Sequence, residues 1–204
     1  MIGEREKHQV AEAISAVERR TDAELVTVLV AHSDNYGHYS LLWAAAGALL
    51  STPFLLFFNY SAVVVVTVEL ITFCVLTYVL VVTGLGMRMV PDTVRTFRAA
   101  SMARRQFLEQ GLHHTRAQTG VLIFVSEAEH YVEILADRGI ALHVDESRWQ
   151  SIVDRFVTDV RAGRIVQGFL TAIESCGEVL AEVCPKTEGN KNELDDRLIL
   201  IGYD

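Results

Sequence analysis

From Tyr39 to Thr83 the chain runs for 45 residues without a Lys, Arg or Asp and with a single Glu, Glu69. No other feature restricts the fold so strongly. A helix needs about 20 apolar residues to cross roughly 30 Å of hydrocarbon. The block divides at the turn-like Asn59-Tyr60-Ser61 into Tyr39 to Phe58 (20 residues) and Ser61 to Thr83 (23 residues). Each piece is long enough to span, so a tight transmembrane helical hairpin is expected. Val63 to Val66 is β-branched, which in water favours a strand. Hydrocarbon, however, accepts only helices or closed barrels. The block starts too far from Met1 to read as a secretory signal peptide.

Half of the 204 residues are hydrophobic, yet 22% are charged. With the apolar residues gathered in the block, the flanks have the composition of a water-soluble fold. Residues 1–38 are its first part, 39–83 the hairpin and 84–204 the remainder. Intrinsic disorder, a collagen-like chain and a disulfide-stapled mini-protein are all excluded. Cys74, Cys176 and Cys184 are odd in number and lack paired spacing, so neither a zinc site nor a disulfide framework is indicated.

Charge sets the expected orientation. Lys+Arg against Asp+Glu is 4 to 7 over residues 1–38, 6 to 2 over 84–116 and 8 to 16 over 117–204. The turn of the hairpin carries no basic residue, so the positive-inside rule places both termini and the soluble domain in the cytosol. Unpaired cysteines fit that compartment.

Glu69 lies about nine residues from the turn, or roughly 13 Å deep at 1.5 Å per residue. An ionised carboxylate there is costly. Three readings stay open: a hydrogen bond to Ser51 or Thr52 at matching depth, pairing across a homo-oligomer, or a proton or cation relay. Ala44, Gly47, Ala48 and Ser51 supply small residues at three- and four-residue spacing, which permits close helix contact.

In the flanks, Val10, Ala13, Ile14 and Val17 mark an amphipathic helix over Glu6 to Arg20. Leu25 to Ala31 is a continuous apolar run and reads as a buried strand. A basic segment follows the hairpin. With Pro91-Asp92 as its start, it predicts a helix with Arg95, Arg98, Arg105 and Arg116 in an arc of roughly 80°. Val94, Phe97, Leu108 and Leu112 line the adjacent face. The arginine face reads either as a membrane-surface helix against anionic headgroups or as a solvated face on a helix packed against the sheet. Val121 to Ser126 and Tyr131 to Ala136, four residues apart, predict an antiparallel pair, closed by the turn Asp137-Arg138-Gly139. A helix is expected from Glu146 to Ala162, with Asp145 as its cap and Trp149, Ile152, Val153, Phe156 and Val160 as its stripe. A second runs from Ile165 to Cys184 on Phe169, Ile173, Cys176 and Leu180. Lys186 to Asn192 reads as a polar loop. The expected fold is a three-layer α/β sandwich with a small mixed sheet, interrupted by the transmembrane hairpin.

The run VLIFVSEAEHYVEILADRGI (Val121 to Ile140), Trp149, RAGRIVQGFLTAIESCGEVLAEVCP (Arg161 to Pro185) and NEL (Asn192 to Leu194) resembles the TPM-domain family. That family includes thylakoid-lumen and photosystem II repair proteins and many bacterial membrane proteins. The resemblance covers Thr119 to Asp196. The hairpin after the first strand resembles a bacterial subgroup of the inner membrane. Many members read NELPD where this chain has Asn192-Glu193-Leu194-Asp195-Asp196, and the missing proline leaves that segment less rigid. The resemblance implies an α/β sandwich, upkeep of membrane complexes, binding of divalent cations such as calcium or magnesium, and a weak acid phosphatase activity. On this chain the acidic positions near the matched strand ends are Glu127, Glu129 and Asp137. They read either as hard oxygen ligands or, for the first two, as a solvated turn.

No phosphate loop, G-x-S-x-G elbow or H-E-x-x-H helix occurs in the sequence. His113 and His114, adjacent on an expected helix, point about 100° apart and suit no shared metal. The net charge of −8 argues against nucleic acid. The expected function is that of a membrane-anchored, non-catalytic assembly or maintenance factor for membrane-protein complexes. A divalent-cation-dependent phosphatase is the alternative.

Overall fold

The computed structural model describes residues 2–187 and 192–203. In chain order its elements are α1 (Glu4–Glu18), β1 (Glu24–Val30), α2 (Gly37–Phe57), α3 (Ala62–Val82), the single turn α4 (Leu85–Arg88), α5 (Asp92–Glu109), β2 (Gly120–Ser126), β3 (Tyr131–Ala136), the short α6 (Arg138–Ala141), α7 (Glu146–Arg161), α8 (Ile165–Val183) and β4 (Leu198–Ile201). They form two compact units, one of Met1–Ser33 with Thr96–Asp204 and one of Asp34–Arg95.

The larger unit is a three-layer α/β sandwich on a mixed sheet which, among the described residues, has the strand order β3-β2-β1-β4. β1 lies parallel to both β2 and β4, while β3 pairs antiparallel with β2. β1 and β2 are buried along their whole length, as central strands covered on both faces must be. One face packs Leu25, Leu29, Val121, Ile123 and Val125 against α1, α7 and α8. Val10, Ile14 and Val17 face it from α1, and the predicted stripe Phe169, Ile173, Cys176 and Leu180 is fully buried on α8. The other face, Val26, Val28, Val30, Leu122 and Phe124, is covered by Met102, Ala103 and Phe107 of α5 and by Leu112.

Several expectations are corrected here. Leu198–Ile201 forms β4, which was not anticipated: four residues are too few for a period to register, and the strand exists because β1 offers it an edge. The segment read as a polar loop from Lys186 to Asn192 includes 188–191, which lie outside the described residues. α5 ends at Glu109, and Leu112–His114 is a 3-10 turn. Arg116 therefore does not share a helix face with Arg95, Arg98 and Arg105. His113 and His114 do not diverge but bring their ring centroids to 3.8 Å. Phe97 and Leu108, taken as an apolar face, are exposed; α5 buries Ala99, Ala103 and Gln106 instead. Asp145 stands at the N-cap of α7 without a side-chain cap bond. Asp137 makes that bond at the start of α6. Cys176 is buried as expected of a core residue, but Cys184 is only half-buried.

The smaller unit is built on the two helices α2 and α3, both long and apolar enough to cross a membrane. They face each other through small residues. Ala44 and Ala48 are buried, and a Cβ on Gly47 would come within 2.6 Å of Leu76 Cδ1, so the contact depends on that glycine. Thr52 Oγ1 donates to Glu69 Oε1 across the pair. Ser51, the other expected partner, turns back to the Ala48 carbonyl at 2.6 Å. Asn59, with φ of 56°, takes the left-handed conformation at the turn. The outside is apolar: Leu50 is 75% exposed and Phe57 80%.

Candidate functional sites at the two ends of the sheet

In open α/β sheets, ligands settle where parallel strands end. Here β1, β2 and β4 end side by side. Glu127 N donates to the Val30 carbonyl at 3.0 Å, Ala128 N to Ala31 at 3.1 Å and Ala31 N to Ile201 at 2.9 Å, which extends the ladder into the loops. His130, at φ 50°, closes the turn into β3, and its ring Nδ1 lies 2.7 Å from the Glu127 carbonyl oxygen.

Five side chains knit this end together. Ser33 N donates to Glu129 Oε1 at 3.0 Å, and Ser33 Oγ donates to Ser126 Oγ at 2.7 Å. Ser126, fully buried, donates in turn to Glu129 Oε2. Glu129 thus staples the exit of β1 to the exit of β2. Tyr203 Oη donates to Glu127 Oε2 at 2.6 Å. Burial pushes the Tyr203 phenol above its ordinary value, and the Glu127 carboxylate beside it adds to the effect, so the phenol stays a donor. Chemically this end is a hydroxyl chain that terminates on a carboxylate.

The opposite end holds buried carboxylates. Glu18, at the end of α1, accepts from Leu25 N at 2.9 Å and from Asn192 Nδ2 at 3.0 Å. Burial is the main reason that its carboxyl is pushed up to about 9, with the neighbouring Asp196 and Glu24 contributing. Asn192 Nδ2 also donates to Asp196 Oδ1 at 2.6 Å. Glu24, raised by burial as well, accepts from Glu193 N and Leu194 N, both at 3.1 Å. Asn192-Glu193-Leu194 therefore acts as a clamp that supplies donors to two buried acids just before β4. Beside it, Val26, Gln110, Glu193, Leu194, Asp195, Arg197 and Ile199 line a shallow cavity of about 210 Å³. Glu18 and Glu24 escaped the sequence reading. The one signal available was that Glu24 opens an otherwise apolar strand.

Asp137 also belongs to this second end, because its N–H donates to the Gly120 carbonyl at 2.8 Å, where β2 begins. Its Oδ1 accepts from Arg138 N at 2.7 Å, while Oδ2 is buried without a partner among the described residues. A Cβ on Gly139 would meet the Ala117 carbonyl oxygen at 2.5 Å, so the turn after Asp137 has room only for glycine. The structure thus brings Glu127 and Glu129 together but leaves Asp137 at the far end of β3. Six strand residues at 3.3 Å each put about 20 Å between them. One cation cannot touch all three. Among the described residues, no group of three or more His, Cys, Asp or Glu side chains is placed to hold a metal ion. Asp137 Oδ2 fits calcium or magnesium as one hard oxygen ligand.

Of the four arginines read from the sequence as a membrane-surface or solvated face, Arg95 pairs with Asp92 and Arg105 with Glu109 at 2.7 Å. Arg98 is exposed on α5, and Arg116, off the helix, lies 3.9 Å from Glu193.

Comparison with known proteins adds two findings. Residues 83–179 match the family model of the TPM domain; the match stops short of Asn192-Glu193-Leu194. The NMR structure of the BA42 protein from the psychrophilic bacterium Bizionia argentinensis is similar in fold, with a TM-score of 0.62 and 17% identity over 98% of this chain and 95% of that one. No curated protein sequence matches the chain.

Proposed function

Residues 83–179 match the family model of the TPM domain, and from that premise we propose that the chain is a membrane-anchored assembly or maintenance factor for membrane-protein complexes, without catalytic activity of its own. The observation that supports this reading is where the apolar helices enter. The chain leaves the larger unit after Ser33, at the carboxyl ends of the parallel strands, and returns at Thr96. Of the polar groups there, Ser33, Ser126 and Glu129 are bonded to one another and Tyr203 to Glu127. At the end of the sheet where such folds ordinarily bind ligands, these groups are thus occupied with one another. Both termini and the larger unit lie in the cytosol in this reading, at the inner membrane of a bacterium. The test is copurification in mild detergent. Reproducible membrane-protein partners are expected, and a solitary protein at every detergent strength contradicts the proposal.

The second reading, a divalent-cation-dependent phosphatase, is favoured by Asp137 Oδ2, a carboxylate oxygen held out of water with no donor. A cation there would supply what the fold does not. Turnover of a phosphate ester with calcium or magnesium that disappears in Asp137→Ala is the expected result for this reading. Turnover that survives the substitution removes the site.

A further inference from the structure

α5 presents two unlike sides. Ala99, Ala103 and Gln106 are buried on one. On the other, Phe97 is 64% exposed and Leu108 57%, with Arg98, Ser101, Arg104 and Arg105 exposed around them. At 100° per residue all six fall within an arc of about 120°. The two apolar side chains lie between Arg104 on one flank and Arg105 and Arg98 on the other. Packing against the sheet does not account for this side, since the sheet is served by the opposite one.

We propose that this side of α5 binds the anionic phospholipid headgroups of a membrane, with Phe97 and Leu108 entering the boundary between headgroups and acyl chains. The inference rests on the anchoring reading above. Three observations name lipid as the partner. Residues 84–116 carry 6 basic against 2 acidic side chains in a chain of net charge −8, so the positive charge is concentrated here and complements an anionic surface. The apolar residues are two separated side chains, not the contiguous patch a protein partner would cover. They are flanked by arginines, whose stems can lie along apolar surface while their heads reach phosphate. The third observation is the tether, since Asp92 begins only ten positions after Val82, the last residue of α3. Two local acids moderate the face without cancelling it. Glu109 is held by Arg105, and Asp92 by Arg95. On the sheet side, Glu133 of β3 lies within the field of Arg104.

The test uses the full chain in nanodiscs with a spin label at one site. Cys74, exposed on α3, reports on the hairpin; Ser101→Cys in a Cys74→Ser, Cys184→Ser background reports on α5. Discs of neutral phosphatidylcholine are compared with discs containing about one-third phosphatidylglycerol, and access to an aqueous nickel chelate is measured. In anionic discs the label at 101 is expected to lose about threefold in access relative to neutral ones, and to regain it at about 0.5 M salt. Arg98→Gln/Arg104→Gln/Arg105→Gln and, separately, Phe97→Ser/Leu108→Ser are expected to abolish the loss; all five residues are exposed, so folding is not at stake. Equal access at 101 in both discs, with the Cys74 label shielded from water, overturns the inference and leaves the anchoring reading standing. A Cys74 label open to water overturns the anchoring reading itself.

Discussion

The two units of this chain place apolar side chains on opposite sides of their helices. In the larger unit Phe124, Phe156 and Phe169 have no accessible surface to speak of. In the smaller one Leu50, Phe57 and Val63 point outward, and the helix contact is made of Ala44, Gly47 and Ala48. Water drives the first arrangement, because apolar area removed from it is worth about 25 cal/mol per Å². In hydrocarbon that drive would be absent, and small-residue packing and the Thr52–Glu69 bond would be left to join α2 and α3. The two units thus have opposite surface chemistry, and substitutions should act on one and spare the other.

The largest effect is expected at the sheet. Phe124→Ala empties a fully buried position on β2, between the sheet and α5, and should cost about 3–5 kcal/mol of the soluble fold. Denaturant melts in detergent should show that loss, with membrane insertion unchanged. The mirror experiment is Ile71→Arg, near the middle of α3 on its exposed side. It should cost about 2.5–3.5 kcal/mol of insertion, read as a fall in the membrane-integrated fraction, with no change in the melt. If either substitution moves both readouts equally, the contrast between the units is lost.

A smaller effect separates the two ends of the sheet. Glu18 holds its proton up to about 9 in the fold, above its ordinary value. Its contribution to stability is whole below the ordinary carboxylate range and lost as pH rises through the folded value. The melting temperature should therefore fall as pH rises from about 5 to about 9, and Glu18→Gln should flatten that slope. A slope untouched by Glu18→Gln would assign it elsewhere, Glu24 being the neighbour raised by burial in the same sense. The smallest effect is within the hairpin. Thr52→Val removes the donor to Glu69 and should cost about 0.6–2 kcal/mol of α2–α3 association, measurable by steric trapping or by fluorescence transfer between labelled helices.

The legibility of this architecture in the sequence followed element length and contact range. Helices with long periodic stripes, such as Phe169, Ile173, Cys176 and Leu180, are where the pattern put them. So are the apolar block and the pair β2–β3. β4 was hidden because its partner residues on β1 lie 171 positions earlier and only the fold reveals the edge it fills. The buried side of α5 was not legible for a physical reason: it covers the sheet with the small Ala99 and Ala103, while the larger Phe97 and Leu108 that mark its apolar face are exposed. At the candidate sites, Glu127 and Glu129 were visible as strand-end acids, and Asp137 as a turn residue. That a strand separates them was not visible, since spacing along the chain does not say which end of the sheet a residue reaches. Glu18, and Glu24 but for its place at the head of an apolar strand, went unread because sequence alone cannot distinguish a carboxylate in water from one enclosed by Asn192 and Leu194.

The central claim is that α2 and α3 cross the bilayer as a pair and return the chain to the side it left. The most direct test is protease protection of small tags fused to the two chain ends, in sealed vesicles of known orientation that have been washed with alkaline carbonate. The account predicts that the protein stays in the membrane pellet and that both tags are accessible from the cytosolic face alone. Tags cleaved from opposite faces, or protein released by the carbonate wash, would contradict it.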